Sequence, residues 1–305
     1  MANIGLIDID SHSGFPNLAL MKLSAWHKSQ GDKVFLLTPD DILLGNSLFT
    51  SWDKLYAACI FDWNRPTAVK LAAMGVEVGG SGYSFEKLLP GDIEEMYPDY
   101  ELYGIKDTAY GYLTRGCPRR CRFCIVGMKE GTQSKQVASL DQFWNGQPNI
   151  KLLDPNLLAC GSRDYLLRQL MISKAWIDFT QGLDIRFVDR YTAEKINMLK
   201  LKNLHFAWDN ADDEAVENQL KRYSGYFKIY KGHLPVVYVL TNFDSTIKQD
   251  LYRVYTLRDM GYDPYIMIYD KANAPQQVRY LQRWVNNKKI FRIIDRFEDY
   301  DHKVG

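Results

Sequence analysis

A chain of 305 residues with 38 Lys+Arg against 37 Asp+Glu and a net charge of +1 is long for one core and is nearly neutral. The length predicts one large or two unequal α/β domains, and the balance excludes a molecule that is basic throughout and held to nucleic acid by charge alone. No run approaches the ~20 apolar residues of a membrane span, and "MANIGLIDID" lacks the basic start and small-residue cleavage site of a signal peptide, so a cytoplasmic protein with no membrane partner is expected.

Strand and helix patterns alternate from the start. "IGLIDID" is a short apolar strand pattern, and "FPNLALMKLSAWHKSQ" follows with Leu18, Met21, Leu23 and Trp26 near helical spacing, closed by Gly31. "KVFLLT" and "YAACIFDW" read as the next strands, "PTAVKLAAMG" as a helix with proline at its start and glycine past its end, and "VEVGG" as a fourth strand. This βαβ order predicts a parallel, Rossmann-like sheet over residues 1–100. "LLPGDIEEMYPDYELYGIKD", with two prolines and a cluster of acids, reads as a linker.

Alternation then resumes, with strands at "AYGYLTRG", "NIKLLD", "AWIDFT", "LHFAWD", "PVVYVLT" and "PYIMIYD". Between them lie helical segments at "SRDYLLRQLMISK", "TAEKINMLKLK", "ADDEAVENQLKRYSG" and "STIKQDLYRVYTLRDMG". Six β/α units are too few for an eight-stranded barrel. They predict a partial (β/α)6 barrel of the TIM type over residues 101–290, with functional groups in the loops after the strands. Residues 291–305 read as a polar C-terminal tail.

Cys117, Cys121 and Cys124 lie within eight positions of "RGCPRRCRFC", and the other two cysteines, Cys59 and Cys160, sit singly in apolar stretches. Such spacing is not a disulfide framework and points to metal chemistry in a reducing compartment. Cys59 and Cys160 are expected as packing residues. A C-x3-C-x2-C loop can hold three irons of a four-iron cluster and leave one open to a ligand. The same trio could instead bind zinc, completed by a distant residue such as Cys160 or His205.

"CPRRCRFC" resembles the C-x3-C-x2-C signature of the radical S-adenosylmethionine enzymes, including an aromatic residue, Phe123, immediately before the last cysteine. The resemblance covers roughly residues 107–290. It implies a 4Fe-4S cluster on Cys117, Cys121 and Cys124, and S-adenosylmethionine chelated to the unique iron. The cofactor would be cleaved reductively to a 5'-deoxyadenosyl radical that abstracts hydrogen from a substrate. It further implies an electron donor such as flavodoxin or ferredoxin, while the substrate, whether small molecule, peptide or nucleic acid, is not identified.

Polar residues close every strand of this region: Asp154 and Asn156, then Gln181, Asp184 and Arg186, Asp209 and Asn210, Thr241 and Asn242, and Asp270 and Lys271. Strand ends commonly meet turn and cap residues, so each one alone carries little. By resemblance, Phe123, Asp154, Gln181, Asp184 and Arg186 are the cofactor-contact candidates. Arginine suits a carboxylate, and Asp184 suits ribose hydroxyls or an ammonium. The family's glycine-glycine-glutamate motif is absent, and "LLDPN" stands in its place.

The first hundred residues resemble the cobalamin-binding-type domain that precedes the barrel in one branch of the family. Asp10, His12 and Gly14 are spaced Asp-x-His-x-Gly, one residue short of the cobalamin motif, so cobalamin is not expected. A cobalamin-dependent methyltransferase-like enzyme and a zinc-stabilised nucleic-acid-binding module are the competing readings. Gly79 and Gly80 admit either close approach of a ligand or a tight turn. Arg115, Arg119, Arg120 and Arg122 suit an anionic partner, a nucleic-acid phosphate, cluster tuning or simple solvation.

Overall fold

A computed structural model describes residues 1–45 and 51–303. It is a mixed α/β protein with parallel sheets, whose described residues fall into two compact units, Met1–Gly111 with Ser139–Gln147 and Tyr112–Ala138 with Pro148–Gly305.

The first unit runs β1 (Asn3–Asp8), α1 (Leu18–Ser29), β2 (Lys33–Leu37), α2 (Pro39–Leu43), β3 (Lys54–Ala58), α3 (Arg65–Ala73), β4 (Glu77–Gly79), α4 (Gly91–Glu94) and β5 (Thr108–Gly111). Its parallel sheet has the order β2-β1-β3-β4. Alternation along β1 sends Ile4 and Leu6 to one face, where Leu20, Leu23 and Ile93 pack on them. Ile7 and Ile9 face the other side with Ala68, Leu71 and Val78. Both faces are thus covered by helices, which is why these strands are apolar runs. Helix α1 starts where Asn17 Oδ1 accepts the Ala19 and Leu20 amides at 3.1 and 3.2 Å.

Two details bear on the sequence reading. Gly80 has φ +98°, and a Cβ there would overlap the Cys59 carbonyl, while the Cys59 amide bonds to Gly79 O and the Gly82 amide to Cys59 O, both at 2.9 Å. Gly80 therefore serves a tight backbone turn, and the space beside it holds the protein's own chain. The stretch read as a linker is packed instead. Ile93 and Tyr100 are buried in it, and the Tyr100 hydroxyl accepts the Tyr110 amide at 3.0 Å and donates to Phe143 O at 2.7 Å. Apolar side chains spaced through acidic residues were the signal that its prolines obscured. Tyr100→Phe leaves those two buried backbone groups without their partner and is expected to cost about 1–3 kcal/mol in urea unfolding.

The second unit opens with a closed loop. β6 (Thr114–Arg115) and β7 (Lys135–Gln136) pair antiparallel and bracket α5 (Val126–Lys129). Then follow β8 (Asn149–Leu152), α6 (Arg163–Ser173), β9 (Trp176–Phe179), α7 (Arg190–Asn197), β10 (Lys200–Asn203), β11 (His205–Ala207), α8 (Glu214–Arg222), β12 (Val236–Thr241), α9 (Ile247–Asp259), β13 (Asp263–Ile268), α10 (Gln276–Asn286) and α11 (Lys288–Ile293). Strands β8, β9 and β10 are neighbours in parallel, as are β11, β12 and β13. Only Leu204 separates β10 from β11, and the Leu183 amide after β9 bonds to His205 O at 2.8 Å.

"TAEKINMLKLK", expected as one helix, is helical only to Asn197 and then becomes β10. Leu199 and Leu201 are buried, and Leu201 aligns with Ile177 of β9, so sheet pairing outweighs helix propensity there. "AYGYLTRG" is likewise two strands, β5 and β6. The segment set apart as a polar tail carries α11 and side chains that pack on α10. Phe291 and Tyr300 are buried, Trp284 Nε1 donates to Ile294 O at 3.0 Å, and the Phe297 amide donates to Tyr255 Oη at 3.0 Å. Among the described residues no helix is long and apolar enough to cross a membrane.

Candidate functional site

The cysteine loop is tied at its base. Gly116, at φ +87°, lies so close to Gln133 that any Cβ would overlap the Gln133 carbonyl. Its amide donates to Glu130 Oε2 at 3.2 Å, the Cys117 amide to Gly131 O at 3.2 Å, and Arg115 Nη1 to Glu130 Oε1 at 3.3 Å. Beyond that clamp Cys117, Cys121 and Cys124 are free and half-buried. Burial pushes the Cys121 and Cys124 thiols up, and the neighbouring cysteines add to it. Among the described residues no three His, Cys, Asp or Glu side chains are already gathered at metal-binding distance. The donor set nevertheless fits a metal cluster. Three thiols share one loop, and a metal binds such groups as thiolates, releasing their protons.

Against this loop stands a network of ion pairs. Asp184, read from sequence, accepts from Arg186 Nε at 2.7 Å on one oxygen and from Arg119 Nε at 2.7 Å on the other. Arg186 also donates through Nη1 to Asp213 at 2.7 Å. Asn156 Nδ2 bridges the network to the loop, 3.2 Å from Asp184 Oδ2 and 3.5 Å from Cys117 Sγ. Burial pushes the Asp184 carboxyl up, but the bonds and charges of Arg186 and Arg119 outweigh it and hold the group below its ordinary range.

Because that carboxyl is depressed, its contribution to stability is complete above the ordinary carboxylate pKa and is lost as pH falls through the lower folded value. Asp184→Asn should therefore cost about 1–3 kcal/mol at pH 7, with the difference from wild type closing in strongly acidic buffer. Chemical denaturation measured across pH checks both the size and the closing.

The remaining sequence candidates fare differently. Asp154 is fully buried, and its oxygens accept the Leu113 amide at 3.2 Å, the Thr114 hydroxyl at 2.7 Å and the Thr114 amide. Burial, opposed by those bonds, raises its pKa to about 6. It fastens the strand leading into the cysteine loop, and both of its oxygens are engaged there. Gln181 is exposed, and no hydrogen bond joins its side chain to Asp184 or Arg186. Phe123 is half-buried, edge-on to Phe243 at 5.5 Å, and Phe243 in turn meets Tyr269 at 4.9 Å.

Several other strand-end groups are local turn residues: Asn242, at φ +61°, donates to Tyr269 O at 2.8 Å, and Asp270 accepts from Asn273 at 2.9 Å. Asp209 is different. Burial, against Arg253 and Arg186, raises its carboxyl to about 6.

The four arginines are not one basic patch. Arg119 pairs with Asp184, Arg115 with Glu130 and Arg122 with Asp244, while Arg120, exposed at φ 51°, has no acidic partner among the described residues. Sequence reasoning missed Arg119 and Asp213 as members of the network, since their partners lie 65 and 27 residues away. It also missed Arg253 on α9. That guanidinium is fully buried and donates to Trp208 O, Asp209 O, Leu240 O and Asp250 Oδ1 at 2.6–2.9 Å, fixing the ends of β11 and β12.

In the first unit, Asp10 accepts the Ile60 amide and Asn64 Nδ2, the latter at 2.7 Å, and Asp8 accepts Tyr103 Oη at 2.7 Å. His12 is exposed. Of the two distant residues considered for zinc, Cys160 is buried beside Ser162 Oγ at 3.3 Å, and His205 Nδ1 lies 3.0 Å from Phe179 O. No protein-family model and no curated protein sequence matches the chain.

Proposed function

We propose that the protein is a radical S-adenosylmethionine enzyme whose Cys117, Cys121 and Cys124 hold a 4Fe-4S cluster with one iron left open for the cofactor. The observation that carries this reading is the Asn156 bridge. A single amide contacts Cys117 Sγ and Asp184, so the three-thiol loop and a charged cluster suited to an amino acid ligand share one place. Arg186 keeps Nη2 outside these bonds and can hold a carboxylate, while Asp184 and Asp209 can accept from ammonium or hydroxyl groups. When bound, the cluster supplies the electron that splits S-adenosylmethionine into methionine and a 5'-deoxyadenosyl radical, which takes a hydrogen atom from the substrate.

The matching fold is a Rossmann-like sheet followed by a partial (β/α)6 barrel. Parallel pairing in chain order within β8, β9 and β10 and within β11, β12 and β13, two sheets whose runs are separated along the chain by Leu204 alone, supports it. A cytoplasmic electron donor such as flavodoxin or ferredoxin belongs to this reading, and cobalamin does not.

Anaerobic reconstitution with iron and sulfide tests it. The expected product is a reducible four-iron cluster whose electron paramagnetic resonance spectrum changes on adding S-adenosylmethionine. Stoichiometric zinc with no iron uptake would instead favour a zinc-stabilised nucleic-acid-binding module.

A further inference from the structure

The turn that carries Asp184 rests on His205, whose carbonyl accepts the Leu183 amide at 2.8 Å. The His205 side chain takes no part in the ion-pair network around Asp184. Its Nδ1 is 3.0 Å from Phe179 O, an acceptor, so Nδ1 carries the proton and donates. Behind the same nitrogen, at 3.7 Å, is Asp178 Oδ1. Asp178 is 5% exposed; its Oδ2 accepts Asn203 Nδ2 at 2.9 Å, and its Oδ1 is buried with no hydrogen-bond partner among the described residues. The His205 ring lies parallel to Tyr238 at 5.2 Å, and Tyr238 meets the exposed Tyr265 edge-on at 5.9 Å.

This arrangement has the elements of a poised imidazole. One ring nitrogen is fixed by a backbone carbonyl, a buried carboxylate waits beside it, and the other nitrogen is left over. Nε2 has no hydrogen-bond partner among the described residues, and the side chain is 14% exposed. A histidine with a purely structural role gains nothing from a buried carboxylate oxygen that no donor satisfies, and leaving such an oxygen unpaired is costly. An imidazolium formed at Nε2 would be stabilised by it.

We propose that His205 is the acid–base residue facing the substrate, held in one tautomer by Phe179 and backed by Asp178. The proposal rests on the radical reading for the identity of the site. The substrate class is a molecule with a hydroxyl or amine directed at Nε2 and an apolar or aromatic part lying along Tyr238 and Tyr265. In the transfer step, an O–H or N–H bond of that molecule breaks, Nε2–H forms, Nδ1–H is retained, and the positive charge sits against the Asp178 carboxylate. The charged and titratable groups facing this position are Asp178 on β9, Lys151 opposite it on β8, Tyr238 on β12 and Tyr265 on β13. Burial lowers the His205 pKa, with Asp178 and the Phe179 bond opposing.

Diethyl pyrocarbonate, which acylates accessible neutral imidazole nitrogens, is the probe, applied to the full chain with its reconstituted cluster and resolved by mass spectrometry of peptides. The chain has five histidines, and His27, bonded at both nitrogens to Asp32 and Tyr56, is the internal standard. His205 is expected to react about tenfold or more faster than His27 at pH 7.5. Its labelling rate should rise with pH through a midpoint that Asp178→Asn moves to lower pH, because the carboxylate no longer stabilises the imidazolium. Labelling as slow as that of His27, or a midpoint unmoved in folded Asp178→Asn, would overturn the proposal. Should that variant not fold, the wild-type rate comparison decides alone. Failure of the radical reading is seen separately, as absence of an iron–sulfur spectrum in the same sample, and leaves the labelling result standing.

Discussion

Cys121→Ala is expected to abolish cluster assembly, lowering iron and sulfide after anaerobic reconstitution to the background of a protein without the site. Three thiolates are the fewest that can grip a four-iron cube while one iron stays open, so loss of one removes a corner that no neighbour can replace. Cys160, the other cysteine of that unit, is buried beside Ser162, and no hydrogen bond links it to the loop. The loop's base is fixed by Gly116, Glu130 and Gly131, not by the thiol, so far-ultraviolet circular dichroism and thermal unfolding should stay close to wild type. A variant that retains full iron would remove Cys121 from the ligand set.

Arg253→Leu should be the most destabilising single substitution outside the apolar core. The guanidinium is 0% exposed, shares an ion pair with Asp250 at 2.6 Å, and satisfies three backbone carbonyls at the ends of two strands. Leucine fills part of the volume but leaves Asp250 as an uncompensated buried charge, with only Ser245 Oγ at 2.6 Å, and three acceptors without donors. Breaking a buried pair on one side costs about 3–5 kcal/mol, and urea titration would read it directly. Asp250→Asn paired with Arg253→Leu should recover part of the loss, because the stranded charge is gone; an equal loss in the double variant would mean the carbonyl contacts dominate.

What could be read from the sequence follows from what is local. Apolar patterning located β1, β2, β3 and β12 and the helices α1 and α9, because their apolar side chains pack against immediate neighbours and the helices carry their own caps, such as Asn17 and the Thr246–Gln249 box. The grouping of Cys117, Cys121 and Cys124 on one loop was legible for the same reason, since their spacing is local. Asp184 and Arg186 stood out as a pair two residues apart, and they do bond. Their further partners could not be seen. Arg119, Asn156 and Asp213 reach them across loops from distant parts of the chain, and no pattern within a window marks such contacts.

Asp154 shows what a single position hides. A carboxylate after a strand looks the same in sequence whether it faces a ligand or clasps Leu113 and Thr114. The strand β10 was hidden because "NMLKLK" suits either helix or sheet, and the alignment of Leu201 with Ile177 decides it only after the fold forms. The linker reading went astray on its prolines, which here start helix α4 and a turn, while Tyr100 between acids carried the packing.

The most direct measurement of the central claim is formation of 5'-deoxyadenosine. Reconstituted protein, reduced with dithionite under anaerobic conditions and supplied with S-adenosylmethionine, should yield 5'-deoxyadenosine and methionine in equal amounts by liquid chromatography, even with no substrate added. A fully loaded, reducible cluster that produces neither compound would contradict the account.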